Sequence, residues 1–485
     1  MMLTIDSRKE EVVAARAERS PSVRWALASL SLSMLLSALG TSSANVALPT
    51  LAQVFTSSFQ EVQWVVIAYL LAVTTLIVSV GRLSDITGRR RMLLGGIFLF
   101  AAASVLCGAA STLWLLIVAR AAQGLGAAIM MVLSMAFVGE TVQKEKIGSA
   151  MGLLGTMSAI GTALGPSLGG VLIAGLGWRA VFLVNVPLGV LAFLLAHRYL
   201  PDAPRGPETV RASFDSAGTV LLALTLGAYA LAMTIGRGQF GPLNITLLLA
   251  AVCGVGLFVL AEGRAASPLI RMAMFRDPVL SASLAMSALV STVMMATLVV
   301  GPFYLSRALG LDAALVGIAM SVGPLATALA GVPAGRLADR IGAQRTTIVG
   351  LIGMASGTFI VRMPATLGIA GYISPLVVVT IGYALFQTAN NTAVMKDIRP
   401  DQRGIISGLL SLSRNLGLIT GVSVMGAVFA ITSATTDITT ARPEAVATGM
   451  RFTFAVAAGL IVVALGIAVG SDVLNKRKSP SGAVS

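Results

Sequence analysis

Charged side chains are scarce in this chain, making up 11% of its 485 residues, whereas a soluble globular domain carries about 25%. That shortage excludes a water-soluble fold. There is one histidine, His197, beside Arg198 at the end of an apolar run; an isolated imidazole there reads as a solvated flank rather than a metal ligand. The two cysteines, Cys107 and Cys253, both fall inside apolar runs, so neither a disulfide framework nor a thiolate metal set is expected. No glycine-rich nucleotide loop is present, which argues against ATP as the energy source. No nucleophile, base and orienting group sit at workable spacing, so no enzyme is expected and no cofactor is called for.

What is abundant is apolar surface: 56% of the residues are hydrophobic and 51 are glycine, with a mean hydropathy of +0.90. Small residues let helices approach closely where lipid gives no hydrophobic drive for association. The net charge of +14 is spread in short clusters between apolar spans, which fits orientation in a bilayer better than nucleic-acid binding.

Apolar spans of about 20 residues, the length that crosses hydrocarbon as helix, recur fourteen times between Trp25 and Gly470. The expected fold is all-α and integral to the membrane. With the amino terminus inside, cytosolic segments hold 26 of the 34 Lys and Arg and external loops hold six; this bias puts both termini in the cytosol. The expected segments are a cytosolic tail (1–24), a six-helix bundle (25–200), a linker (201–216), two inserted helices (217–261), an amphipathic stretch along the inner surface (262–278), a second six-helix bundle (279–470) and a cytosolic tail (471–485).

The division into six, two and six follows from an internal repeat. Gly81-Arg-Leu-Ser-Asp85-Ile-Thr-Gly88-Arg-Arg-Arg91 and Gly335-Arg-Leu-Ala-Asp339-Arg-Ile-Gly342-Ala-Gln-Arg345 agree at six of eleven positions and lie 254 residues apart. A second echo, Gly152-Leu-Leu154 with Gly161 and Gly165 against Gly408-Leu-Leu410 with Gly417 and Gly421, has an offset of 256. Such repeats mark a transporter built from two structural halves.

Four motifs then resemble the major facilitator superfamily, in its fourteen-helix drug exporter branch. They are the Gly81–Arg91 loop, Arg120 in Leu116-Ile-Val-Ala-Arg120-Ala-Ala-Gln123-Gly124, the span-5 run Gly161-Thr-Ala-Leu-Gly165-Pro166-Ser-Leu-Gly169-Gly170, and Asn45-Val-Ala-Leu-Pro49 followed by Gln63-Trp64 and Tyr69. The resemblance implies export of small amphiphilic compounds (drugs, dyes, antiseptics) by a monomer in a bacterial cytoplasmic membrane, with a proton gradient as the energy source. It also implies a conformational switch in Gly81, Arg82, Asp85, Gly88 and Arg89, repeated in Gly335, Arg336, Asp339 and Gly342. By that geometry Asp85 meets the start of span 13 near Gly404, and Asp339 the start of span 5 near Gly148; a carboxylate can accept from the free N–H groups that begin a helix.

Gly161, Gly165, Pro166 and Gly169 form a kinked, glycine-rich face that serves either as a gate or as tight packing. Arg120 and Arg414 are intramembrane cations, each a functional-site candidate by cost alone; each either faces a lumen or caps carbonyls in a packed bundle. Arginine keeps its proton, so neither carries the coupling proton. Further lumen candidates are Asn45, Trp64, Tyr69, Gln123, Gln387, Asn390 and Asn391, the last two alternatively serving as glue between helices. The chain departs from the family where the first helix usually carries an aspartate: aligned on Asn45-Val-Ala-Leu-Pro49, that position is Gly40. No acid lies in the middle of a span, and Glu140 is left as the coupling candidate, or else as a salt-bridge partner of Arg82 or Arg89. An interior with two cations and no matched acid favours neutral, zwitterionic or anionic amphiphiles over permanent cations. The rival reading is a lipid or anionic-metabolite exporter not coupled through a first-helix carboxylate.

Overall fold

The computed structural model describes residues 21–77, 79–142, 147–201, 216–235, 241–264, 272–360, 368–395, 403–433 and 442–478. The side chains of some positions within helices, Arg82, Asp85, Glu140, Gly148 and Gly404 among them, lie outside the described set, as do the linker at 202–215 and most of the loop before Arg442.

Among the described residues the architecture is all-helical, with fourteen helices long enough to be spans. They are α1 (Pro21–Val54), α2 (Phe59–Ile77, continued by Val80–Thr87), α3 (Arg89–Ala109), α4 (Leu113–Thr141), α5 (Ile147–Leu176), α6 (Ala180–Leu183 and Asn185–Tyr199), α7 (Ser216–Thr234) and α8 (Pro242–Arg264). After a short 3-10 turn (Met272–Arg276) follow α9 (Pro278–Phe303), α10 (Ala313–Ile341), α11 (Ala343–Ile360), α12 (Gly368–Met395), α13 (Arg403–Thr420, a π-helical turn at Gly421–Met425, then Gly426–Thr432) and α14 (Pro443–Lys478). Thirteen are apolar enough over their length to cross a bilayer. The remaining one, α11, opens on Gln344-Arg345-Thr346-Thr347, and Gln344 turns its amide to the Ala468 carbonyl of α14 (2.7 Å).

Side chains that compete with the backbone in a soluble helix are put to local use here. Ser58 and Glu61 form a capping box at the start of α2: Glu61 Oε2 accepts from the Ser58 backbone N–H (2.7 Å), and the Glu61 N–H donates back to Ser58 Oγ (3.3 Å). In the second half, 254 positions on from Ser58, Asp312 caps α10 by accepting from the Leu315 N–H (2.8 Å). Within the spans, Ser33, Ser37, Thr74 and Ser104 each donate to the carbonyl four residues earlier, so these four hydroxyl protons are satisfied within their own helices.

The two signature stretches, expected as loops, are largely helix. Gly81 to Thr87 continues α2 as a separate helical piece, and Gly335 to Ile341 is simply the end of α10. The turn is made by one glycine in each: Gly88 has φ +90° and Gly342 φ +89°, a region that a residue with a Cβ avoids. Gly81 and Gly335 stay inside helices.

The duplication is visible in the seams. Ser42 of α1 donates to the Gly161 carbonyl of α5 (3.2 Å), and Thr292 of α9 donates to the Gly417 carbonyl of α13 (3.1 Å). Gly96 and Gly126 bring α3 and α4 to backbone contact, and Gly350 and Gly382 do the same for α11 and α12. The inserted α7 lies along α2, joined by a Ser79–Thr219 hydroxyl pair (2.8 Å) and by the Trp64 indole N–H to Thr234 (3.0 Å). Its Leu222 and Leu226 share an apolar cluster with Leu280 and Leu284 of α9 and Leu409 of α13, so the insert bridges the two halves.

Candidate transport site

Two polar places sit inside this helical frame. The first is built on α4. Arg120, wholly buried, donates through Nε to the Val65 carbonyl (2.8 Å) and through Nη1 to the Gly40 carbonyl (2.9 Å) and Gln123 Oε1 (2.5 Å). Gln123 passes the chain on to Ser104 Oγ (2.7 Å). Tyr69 lies under the guanidinium, and its hydroxyl donates to the Ser37 carbonyl (2.8 Å). Helices α1, α2, α3 and α4 are thus tied by one cation and dipoles. Nη2 alone has no partner. Arg120, Tyr69 and Gln123 therefore line no open surface in this conformation: the enclosure is packed, and carbonyls supply the negative ends. The contact to Gly40 is notable, because the backbone there occupies the place where the resemblance leads one to look for an aspartate.

The corresponding positions of the second half, 254 or 256 residues on, are Gly323 for Tyr69, Leu376 for Arg120 and Val379 for Gln123. That half has an apolar knot there, with Leu376 and Thr380 against Gly323. Its own arginine lies elsewhere. Arg414 on α13 is half-buried, makes no hydrogen bond or ion pair with any described residue, and has Tyr383 of α12 within electrostatic reach. An arginine eleven residues into α13 sits roughly 16 Å along its axis, so the two halves present their cations differently: one enclosed, one partly open.

Of the other candidates, Asn45 is buried and donates to the Thr41 carbonyl (3.2 Å), leaving its Oδ1 without a partner. Trp64 faces the inserted α7, as described, rather than the interior between the halves. Asn390 donates to the Ser283 carbonyl of α9 (3.3 Å) and so acts as a tie between helices in this state. Gln387 and Asn391 are half-buried and make no hydrogen bond with a described residue.

The second polar place is where the halves meet, on the face away from the signature turns, here called the far face. Gln63 of α2, wholly buried, donates through Nε2 to the Val422 carbonyl on the π-helical turn of α13 (3.0 Å). Gly426 has no side chain, and a Cβ there would strike the Gln63 amide. One turn outward, Phe59 is held edge-on between Phe303 of α9 (4.7 Å) and Phe429 of α13 (5.5 Å). The opposite edge is closed by glycine: Gly317 of α10 meets the Pro166 carbonyl and Gly170 of α5. Gly161 and Gly165 seat α5 on α1, against Leu35 and Ser42, and Gly169 lies against Ser43. The sequence had pointed to Gly161–Gly170 but not to Gln63 as a contact between halves; matching it to Gly317 by the 254-residue offset would have exposed the asymmetry.

On the signature face, Asp339 is exposed and makes no hydrogen bond or ion pair to any described residue; its expected partner at the start of α5, near Gly148, lies outside the described set. The expected contact of Asp85 with α13 and the roles of Arg82 and Glu140 lie outside the described residues. Leu325, Leu329 and Val332 of α10 are 54%, 71% and 65% exposed as the helix nears that face. Among the described residues the far face is closed by contacts between the halves, and the Asp339 turn is exposed.

This geometry has recorded counterparts. Multidrug resistance protein Stp of Mycobacterium tuberculosis (strain H37Rv) is 32% identical over 80% of this chain and 72% of its own length. Riboflavin transporter RibZ of Clostridioides difficile (strain 630) is 29% identical over 82% of this chain and 86% of its own. A bacterial homologue of the human lysosomal transporter Spinster, crystallised inward-facing and unoccupied, superposes with a TM-score of 0.69 at 15% identity, covering 96% of this chain and all of that one; at that identity the likeness is one of fold. The profile of the Major Facilitator Superfamily matches residues 30–422. With the repeated helix seams, the glycine turns at 88 and 342 and that match, the chain belongs to the Major Facilitator Superfamily and is a multi-pass membrane transporter.

Proposed function

We propose that this transporter exports small amphiphilic compounds from a bacterial cytoplasm by alternating access, in exchange for protons. The clustering of basic residues on the signature face supports a cytosolic position for that face, and the closed far face supports an inward-facing reading of this conformation. The observation that carries the reading is the closure of the far face by contacts between the duplicated halves, while Asp339 at the signature face is exposed and has no partner among the described residues. A molecule entering from the inside meets a sealed exit, and release requires the halves to rock.

The substrate class follows from charge. Arg120 is stabilised by carbonyl oxygens and enclosed, whereas Arg414 is half-buried and unmatched by any described acid. A partly desolvated guanidinium attracts carboxylates and electron-rich rings and repels permanent cations. Neutral and anionic amphiphiles are therefore the preferred cargo. Efflux of an anionic, a neutral and a quaternary ammonium dye from cells, with and without a protonophore, tests both parts. Retention of dye that ignores the proton gradient would remove the antiport, and export of the quaternary dye alone would remove the charge argument.

A second reading, export of an anionic metabolite, is favoured by Gly40 standing where a first-helix acid is usual and by a relative named for riboflavin transport. It predicts transport of anions with no response to hydrophobic dyes.

A further inference from the structure

We infer that Gln63 is the latch of the far-face gate, and that the gate is asymmetric: one edge is a releasable hydrogen bond, the other a dry glycine contact. The inference rests on the alternating-access reading and adds to it the residue that biases the two states.

The argument starts from the duplication. Offsets of 254 and 256 relate Gln63 to Gly317, Pro166 to Val422 and Gly170 to Gly426. The α2–α13 edge and the α10–α5 edge are thus the same contact, made twice. On the α10–α5 edge the two glycines meet with nothing between them, and the Pro166 carbonyl lies over Gly317. On the α2–α13 edge Gly426 is retained, but Gly317 has become glutamine, and its amide fills the space that a second glycine would have left open.

The Val422 carbonyl also accepts the Gly426 N–H, so Gln63 takes its second lone pair. That carbonyl belongs to the π-helical turn Gly421–Met425, a local widening of the kind found at functional sites. Gln63 Oε1 and Ser423 Oγ, both buried, have no partner. The latch is thus half satisfied: its donor is used and its acceptor is not. A group so placed holds the closed state only modestly, and it regains water on both ends when the halves separate. The Gly317–Gly170 edge has no side chain to exchange with water.

Spin-label distances on the full chain in nanodiscs test this. In a Cys253→Ser background, with Cys107 buried, one pair of labels goes on the exposed far-face positions Ser111 and Glu444. The other goes on Thr87 and Arg345 of the signature face. Gln63→Leu keeps the bulk and removes the donor; the open-far-face population is expected to rise about two- to twelvefold, the range of one buried hydrogen bond. Gly426→Ala, which pushes the amide off its acceptor, is expected to do the same in the native background and to add nothing once Gln63→Ala is present. The latch is overturned if Gln63→Leu leaves the distances of the switching parent unchanged, or if Gly426→Ala acts equally with and without Gln63. A parent whose two distances never change, with pH or with added dye, overturns alternating access itself, and the latch with it.

Discussion

The guanidinium carbon of Arg120 stands 4.2 Å from the centroid of the Tyr69 ring, and the same side chain draws in the carbonyls of Val65 and Gly40. A cation in hydrocarbon is tolerated because a ring face and three oxygens surround it.

Removing that cation therefore acts first on stability. Arg120→Ala is expected to lose about 2–5 kcal/mol, from the void and from the acceptors left without donors. Arg120→Lys keeps the charge but loses the fork that reaches separate acceptors and is expected to be intermediate. Thermal unfolding in detergent micelles reads both; an unchanged melting temperature for the alanine variant would contradict the enclosure.

The two glycines of each signature stretch are expected to differ. Gly88→Ala and Gly342→Ala force a Cβ into φ near +90° and are expected to cost about 1–3 kcal/mol. Gly335→Ala sits in a helix with open space at its Cβ and is expected to be neutral or to stabilise slightly. Equal melting of the Gly342→Ala and Gly335→Ala proteins would refute the assignment of the turn to Gly342.

The glycine seams give a similar contrast. At Gly165 a Cβ would overlap Ser42, and at Gly417 it would meet the Ala288 carbonyl, while at Gly155 and Gly459 nothing lies within 4 Å. Alanine at the first two positions is expected to cut the yield of folded protein several-fold through overpacking, and at the last two to leave it unchanged. Monodisperse recovery on size exclusion measures this.

Arg414→Gln is expected to lower efflux of an anionic dye several-fold and to leave a neutral dye within about twofold, since only the charged cargo loses a partner. Vesicle transport assays with both dyes decide it; equal losses for the two would assign Arg414 to structure.

Much of this was legible in the residues. The spans and the turn-making glycines follow from apolar runs and from a repeat that survives in Gly88 and Gly342. Less legible was what Arg120 does. Its position in a span announced a cost but not its resolution, because the acceptors at Val65 and Gly40 are backbone carbonyls that any residue supplies. Asn390 was similar: an amide between helices and an amide in a lumen look alike until Ser283 is found opposite. The π-helical turn at Gly421–Met425 left no mark in composition, since a shift in the helical ladder depends on what packs against it. The burial of Glu262 at the end of α8 and the 3-10 turn at Met272–Arg276 that follows it had no periodicity to give them away.

The unlike edges set an order of events. When two halves joined along a polar margin and along a tight backbone margin begin to separate, solvent enters first where it finds amide and hydroxyl groups to hydrate, beside Gln63 and Ser423. The Gly317–Gly170 margin then behaves as the axle. A narrow wet crevice between α2 and α13 should therefore precede the full outward mouth.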